Sequence, residues 1–327
     1  MAVVQLAILL SNSNTVGYRA MFDVFTQMAA LIACGVAWRI WKPMGIHADT
    51  SRTSLTSLVY VLLLPALVLD VLWKSPLGMD SLRISATAAS GVLVCMALAW
   101  LIYRYVFKKA SKPTTGALIL AAAFPNATYM GLPVLEQLLG PEAKTIAIQY
   151  DLFACTPILL SIGILMAAAY GDNNEKVSPI ATLLKVPPLW AAILAVALNL
   201  GGVPMPEWLD KWLGMLGIAV IPLMLISLGM SLQWSAWKSH TLPLLLPVIA
   251  LQLGIMPLVA LLIATNIGLE GMTLTGVILE ASLPSMVLGL VLCDRYGLHT
   301  GIYALAVTVT TGICLITIPF WFNMINA

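Results

Sequence analysis

The chain consists of long apolar stretches separated by short polar breaks that contain proline or glycine. A helix that spans a bilayer needs about 17–25 predominantly apolar residues. Ten stretches reach that length, and they lie near residues 20–41, 55–73, 82–107, 115–139, 144–170, 185–203, 212–232, 241–266, 272–292 and 300–323. The pattern predicts an all-α membrane protein with ten transmembrane helices, which we number spans 1 to 10.

Two of these stretches are interrupted near their centres. Span 4 carries Pro125 followed by Asn126, and span 9 carries Pro284 between two serines. Proline removes a backbone donor and breaks the helical hydrogen-bond ladder. Within a bilayer such a break is tolerated only where it is buried in protein or lines a cavity. We therefore expect spans 4 and 9 to be broken helices that cross each other.

The two halves of the chain look alike. Spans 2 and 7 carry internal prolines, Pro65 and Pro222, and the breaks in spans 4 and 9 fall at corresponding places. Five spans per half is an odd number, so the second half must be inverted relative to the first. Broken helices paired between inverted repeats are typical of secondary transporters, whose binding site lies near the membrane midplane.

Charge placement predicts which end of each span faces the cytoplasm. Of the 16 Lys and Arg residues, 11 fall after odd-numbered spans, and loops enriched in Lys and Arg stay in the cytoplasm. Both termini are then extracytoplasmic. The predicted organisation is a tail over 1–19, a first five-helix repeat over 20–170, a short cytoplasmic linker over 171–184 and a second, inverted five-helix repeat over 185–327.

Composition places the chain in the cell membrane and narrows its function. Only 9% of its residues are charged, whereas a soluble domain has about 25%. The five cysteines lack CxxC spacing and are interpreted as apolar packing residues. The sequence has no GxxxxGK[ST] loop and no HExxH motif. It therefore predicts no enzyme and no ATP-driven pump, and it indicates no cofactor, metal ion or nucleic acid.

The residues after the first break are candidate substrate ligands. Asn126 has an amide with two donors and an acceptor, and free N–H groups at the start of a half-helix suit a carboxylate. Asn126 is also a good helix cap, and the two roles are compatible. Thr128 and Tyr129 follow it and are predicted to line the same cavity.

The second break is flanked by two serines. Ser282 and Ser285 have two readings: they contact substrate, or they bond to the carbonyl groups that Pro284 leaves free. Both readings remain open at the level of sequence. The predicted crossover residues are Pro125, Pro284, Gly131 and Gly289. The glycines in this set would allow close approach of neighbouring helices.

Two acids lie within apolar stretches. Placing an acid near the bilayer centre costs about 2.5–3.5 kcal/mol, and burial favours its neutral form. Asp151 in span 5 and Glu280 in span 9 are therefore predicted to be proton- or ion-coupling sites, with a neutral structural acid as the alternative. No Lys or Arg falls in the middle of a span, so an anion would be held by amides, hydroxyls and helix ends.

At these residues the chain resembles the auxin efflux carrier family, which contains plant PIN auxin exporters and bacterial malonate and malate carriers. The resemblance covers nearly the whole chain. It is carried by Pro125-Asn126 and Gly131-Leu132-Pro133 in span 4, by Ala281-Ser282-Leu283-Pro284 and Tyr296-Gly297-Leu298-His299 around span 9, and by Ser227-Leu228-Gly229 in span 7.

The resemblance implies a division of labour among the spans. Spans 1, 2, 6 and 7 would form a scaffold, through which the protein would form a homodimer, and spans 3–5 and 8–10 would form a transport domain. Asn126 would bind the carboxylate, and Gln149 in span 5 would lie near the substrate. The chain departs from the plant members in its short loop between spans 5 and 6, and in Glu280, where they have glutamine.

These observations predict a secondary active transporter or uniporter in the lipid bilayer. Its partner would be a small organic anion, an auxin-, malonate- or malate-like carboxylate, with protons or sodium as candidate coupling ions. Access to the site would alternate at the crossover by an elevator-like movement. The alternative is a cation–proton antiporter or sodium-coupled symporter of the same architecture that uses Asp151 and Glu280.

Overall fold

The computed structural model describes residues 26–75, 77–172, 184–232 and 242–326. The predicted tail over 1–19 and most of the predicted linker over 171–184 lie outside these residues. The described residues are mostly helical. In chain order the helices are α1 (26–41), α2 (Ala48–Lys74), α3 (Met79–Tyr105), α4 (Lys112–Ala123), α5 (Leu132–Leu139), α6 (Pro141–Tyr170), α7 (Pro187–Leu200), α8 (Glu207–Ser231), α9 (Leu242–Asn266), α10 (Gly271–Ala281), α11 (Gly289–Tyr296) and α12 (Thr300–Asn326).

Six of these helices are long and apolar enough to cross a membrane. They are α2, α3, α6, α8, α9 and α12, and they fall on predicted spans 2, 3, 5, 7, 8 and 10. Span 4 is divided into α4 and α5, and span 9 is divided into α10 and α11. Helix α7, in span 6, has only 14 residues. The chain is thus an all-helical, multi-pass protein, while the count of ten spans and their inversion stay predictions.

The helices pack as two groups. In the first, α2 lies against α7 and α8, and α1 approaches α8 closely. In the second, α3 packs against α4 and α9, α9 packs against α10, and α12 packs against α4. Residues 117–124, which lead into the first break, are completely buried in the second group. The interrupted backbone is therefore shielded by protein, as the absence of water in a bilayer requires.

Four helical segments widen into a π-helical turn two residues before a proline. The turns are Val59–Leu63, Ala127–Gly131, Asp151–Cys155 and Leu251–Ile255, and the prolines are Pro65, Pro133, Pro157 and Pro257. The proline ring collides with the carbonyl four residues earlier and offers it no N–H, and a wider turn makes room for the ring. At Leu253 the freed carbonyl instead accepts the indole N–H of Trp321 at 2.9 Å.

The end of α2 is fixed by a side chain of α7. The carbonyls of the last helical turn have no partner within their own helix. The Asn199 amide donates to three carbonyls there, those of Leu72, Trp73 and Ser75, at 3.2, 2.8 and 2.7 Å. This cap ends α2 immediately after Lys74, and so holds that residue at the boundary between the two helix groups.

Helices α1 and α8 touch through two glycines. A β-carbon on Gly229 would overlap the backbone of Ile32, and one on Gly35 would overlap the backbone of Ile226. We predict that Gly229→Ala lowers the free energy of unfolding by about 1–3 kcal/mol, the usual effect of overpacking. Thermal unfolding of the detergent-purified protein measures it. Gly214→Ala, in the same helix and in open space, is the control; equal melting temperatures would contradict the close approach.

Candidate functional site

The two interruptions meet inside the second helix group. The backbone leaves helical geometry between α4 and α5, and again between α10 and α11. These extended residues pair in antiparallel fashion: Asn126 N donates to Pro284 O, and Met286 N donates to Phe124 O, both at 2.8 Å. The crossing is thus joined by backbone hydrogen bonds that replace bonds each helix loses at its break.

Ser285 compensates for the donor that Pro125 removes. In an unbroken helix the carbonyl of Ala121 would accept an N–H from residue 125, but proline has none. The Ser285 hydroxyl donates to that carbonyl at 2.6 Å. Its own N–H donates to the Thr310 hydroxyl at 3.1 Å. This geometry corresponds to the second reading of this serine, in which it bonds to a carbonyl freed by a proline.

The other side of the crossing is built similarly. The Ser282 hydroxyl donates to the carbonyl of Leu279 at 2.8 Å. The Tyr303 hydroxyl donates to Met286 O at 2.7 Å, and a β-carbon on Gly289 would overlap the Tyr303 ring. Glycine at this position therefore lets the tyrosine reach the crossing.

Asn126 stands at the start of the π-helical turn Ala127–Gly131. Its carbonyl accepts the N–H groups of Met130 and Gly131 at 3.0 and 3.3 Å. Its side chain is 1% exposed, and the amide Nδ2 has no hydrogen-bond partner among the described residues. A buried donor without a partner costs about 1–3 kcal/mol and requires an explanation.

Asp151 lies beside this turn and is well supplied with donors. The hydroxyl of Thr128 donates to one carboxyl oxygen, and the hydroxyl of Thr156 donates to the other at 2.9 Å. Tyr129 is buried next to them. A cavity of about 20 Å³ lies among these residues and Asn126. That volume holds about one water molecule, so the cavity has no room for a larger ligand in this conformation.

A much larger cavity lies between the two helix groups. Its volume is about 1200 Å³, and it is lined by residues at the end of α2, the start of α3 and α10, and parts of α5, α6 and α8. Gln149, which is almost fully buried, borders it. Two ion pairs lie along its wall: Lys74 pairs with Asp70 at 2.6 Å, and Lys144 pairs with Glu136 at 2.7 Å.

Neither lysine has a role predicted from the sequence. Lys74 also pairs with Asp210 of α8, so it joins two helices at the mouth of the large cavity. The i, i+4 spacing of Asp70 and Lys74 on one helix is the sequence feature that indicates their ion pair. The pairing of Lys144 with Glu136 depends on how α5 and α6 fold back on each other, and no spacing indicates it.

Glu280 lies near the end of α10 and is buried in the crossing. It is 0% exposed, and neither carboxyl oxygen has a hydrogen-bond partner among the described residues. Its carboxyl group lies against Gly131, where a β-carbon would overlap it. The glycine in the first broken segment thus makes room for the acid in the second.

The predicted site residues are distributed over three places. Around the small cavity lie Asn126, Thr128, Tyr129 and Asp151. Gln149 borders the large cavity. Glu280, Ser282 and Ser285 are buried in the crossing and border neither cavity. Within the part of the chain that the structure describes, no cluster of three or more His, Cys, Asp or Glu side chains could hold a metal ion.

The sequence of the chain matches the model of a known protein family. The model of a family described as membrane transport protein matches residues 23–322, which is nearly the whole chain. The chain belongs to this family, the auxin efflux carrier family. The resemblance seen at the two breaks is therefore confirmed, and the protein is a multi-pass membrane transporter.

Three relatives of the chain are each described as an uncharacterized transporter. An uncharacterized transporter of Methanothermobacter thermautotrophicus is 29% identical over 284 residues, 86% of this chain and 92% of the relative. One from Methanocaldococcus jannaschii is 26% identical over 305 residues, 91% and 97% of the two chains. One from Escherichia coli K12 is 25% identical over 251 residues, 73% and 77% of the two.

The bonding of Ser285 predicts a stability effect. Ser285→Ala leaves the Ala121 carbonyl buried without a donor, which costs about 1–3 kcal/mol. Thermal unfolding should therefore show a clear loss. Ser90→Ala is the matched control, since its hydroxyl bonds to the carbonyl of Ala86 at 2.7 Å but that carbonyl keeps its helical N–H. Equal stability of the two variants would mean that the hydroxyl does not brace the crossing.

Proposed function

We propose that this transporter is a secondary carrier for a small organic anion, a mono- or dicarboxylate that binds at the helix crossing. In this proposal the chain forms two inverted repeats of five spans. The group of α1, α2, α7 and α8 is a scaffold, and the group that holds the crossing is the transport domain. The transport domain moves against the scaffold and exposes the site to one side of the membrane at a time.

The unpartnered amide of Asn126 carries this proposal. It is the one side chain of the small cavity that combines nearly complete burial with an unpartnered donor. Neighbouring hydroxyls on Thr128 and Thr156 are already engaged by Asp151. A carboxylate is an acceptor without donors, so an anion that reaches Asn126 would satisfy the amide and recover the free energy of its burial.

The two cavities support alternating access. The large cavity lies between the two helix groups, at the end of α2 and the first half of α8; the distribution of Lys and Arg predicts that the end of α2 is extracytoplasmic. The cavity at Asn126 is too small for a carboxylate with a carbon chain. A substrate would therefore enter the large cavity, and a movement of the transport domain would be needed to open the site.

Two polar contacts between described residues join the scaffold group to the transport group. The Ser75 and Thr145 hydroxyls are 2.7 Å apart and join α2 to α6. The Gln137 amide Nε2 donates to Gln27 Oε1 at 3.4 Å and joins α5 to α1. Net contributions of such bonds are about 0.5–1.5 kcal/mol each, a cost that binding of substrate can offset.

A second candidate, a cation–proton antiporter or sodium-coupled symporter, is favoured by the charge of the large cavity. Four carboxylates and two lysines line it: Asp70, Asp80, Glu136, Glu142, Lys74 and Lys144. The formal sum of four negative and two positive charges is −2. Such a surface attracts cations and repels anions, which opposes direct entry of a free anion.

Charge movement in proteoliposomes separates these functions. For the wild type we expect currents on addition of malonate, malate or indole-acetate, with sodium and potassium salts as ion controls. Asn126→Ala should weaken the carboxylate response at least about tenfold, because one lost hydrogen bond to a charged group is worth about 1.5–3 kcal/mol. Asn266→Ala, which removes an exposed asparagine at the end of α9, should leave the response unchanged.

Two results would contradict the proposal. Full affinity for the carboxylate in Asn126→Ala would show that the anion binds elsewhere. Silence of the wild type with every carboxylate, together with a response to a sodium or pH jump, would establish the cation transporter instead.

A further inference from the structure

Glu280 and Asp151 have opposite surroundings although both are buried acids. Both carboxyl oxygens of Asp151 accept hydroxyl donors, which offset part of the cost of burying that group. Among the described residues neither oxygen of Glu280 has a hydrogen-bond partner, and no Lys or Arg forms an ion pair with it. An isolated buried carboxylate costs several kcal/mol, so the surroundings of Glu280 suit a neutral carboxyl group.

The groups that face Glu280 do not offer a counter-charge. From α6 it interacts electrostatically with Asp151, Tyr150 and Cys155, which are acidic or neutral. The turn Ala127–Gly131 meets the carboxyl group at Gly131, and the titratable side chain of that turn is the phenol of Tyr129. Helix α9 has no titratable residue.

The remaining neighbours are helices α3, α5 and α12. The Glu136 carboxyl of α5 is paired with Lys144, and the Tyr303 hydroxyl of α12 donates to Met286 O. The charged residues of α3 stand at its two exposed ends. They are Asp80, Arg83 and Arg104. Among the described residues, a negative charge at Glu280 would therefore meet no compensating positive charge.

One short turn links the two acids to the proposed anion site. The turn Ala127–Gly131 follows Asn126, holds Asp151 through Thr128, and touches the Glu280 carboxyl at its last residue. A change of charge at Glu280 would therefore act on the segment that carries Asn126. The arrangement consists of two contacts and one chain connection within six consecutive residues, 126–131.

We propose that Glu280 is the proton-binding group of the transport cycle, and that it loads a proton together with the organic anion. This inference rests on the proposed function. Protonated Glu280 permits an anion to approach Asn126 beside the Asp151 carboxyl group. When the site opens to the other side, the O–H bond of Glu280 breaks, the proton passes to water, and the carboxylate repels the anion, which leaves in the same direction.

The test uses radiolabelled malonate in proteoliposomes. A gradient of one pH unit, acidic outside, should raise malonate accumulation by the wild type about tenfold for each coupled proton. Glu280→Gln mimics the protonated acid permanently. It should exchange internal for external malonate, but its accumulation should not respond to the pH gradient. Glu207→Gln, an exposed acid at the start of α8, should behave as the wild type, and protein-free liposomes correct for diffusion.

Three outcomes would overturn the inference. Accumulation by Glu280→Gln that still follows the pH gradient would place the proton elsewhere. Wild-type malonate transport that ignores the pH gradient would remove proton coupling but leave the proposed carrier function standing. Absence of malonate transport and exchange in the wild type would reject both.

A second variant covers the case in which Glu280→Gln does not fold. Glu280→Asp keeps a proton-binding group but moves it by one methylene. If Glu280 binds the coupled proton, the midpoint of the pH profile of transport should move. A purely structural role would change the rate equally at every pH, and that result would also overturn the inference.

Discussion

The pairing of the two breaks is the constraint on which the rest of the molecule depends. Two prolines interrupt helices in a region where no bulk water satisfies backbone groups. Each break therefore uses the other: Asn126 N bonds to Pro284 O, and Met286 N bonds to Phe124 O. Neither broken segment could be placed alone, because each exposes donors and acceptors that the other satisfies. The surrounding helices, which bury residues 117–124 completely, follow from the need to shield this pair.

Several polar side chains at the crossing form hydrogen bonds to backbone groups that the two breaks leave without partners. The hydroxyls of Ser282 and Ser285 bond to helix carbonyls, and the Tyr303 hydroxyl bonds to Met286 O. Among the described residues, the Asn126 amide nitrogen and both Glu280 carboxyl oxygens lack a hydrogen-bond partner, and so do the Gln252 carboxamide oxygen and the Tyr150 hydroxyl. Natural structures leave few buried polar groups unpaired, so each of these groups requires an explanation. Missing partners thus mark candidate functional groups more narrowly than burial does.

Sequence alone predicts the parts of this fold that local chemistry determines. The breaks follow from proline in an apolar stretch, and the wide turns before Pro65, Pro133, Pro157 and Pro257 follow from the same sterics. The roles of the serines could not be decided, since either reading fits their position. The separation of Gln149 from Asn126 into two cavities, and the pairing of Lys144 with Glu136, depend on how distant segments meet, which no local pattern contains.

Under the proposed function, the net charge that crosses the membrane decides the direction of transport. A membrane potential that is negative inside drives a free anion outward by about 2.3 kcal/mol per charge per 100 mV. Export then needs no coupling, whereas import needs a proton or cation that cancels the charge. Among the described residues the Asp151 carboxyl group has two hydroxyl donors and that of Glu280 has none, which is why we propose Glu280 as the proton-binding acid. Under that proposal, a chain with glutamine in place of Glu280 would lack the proton-binding group that import requires.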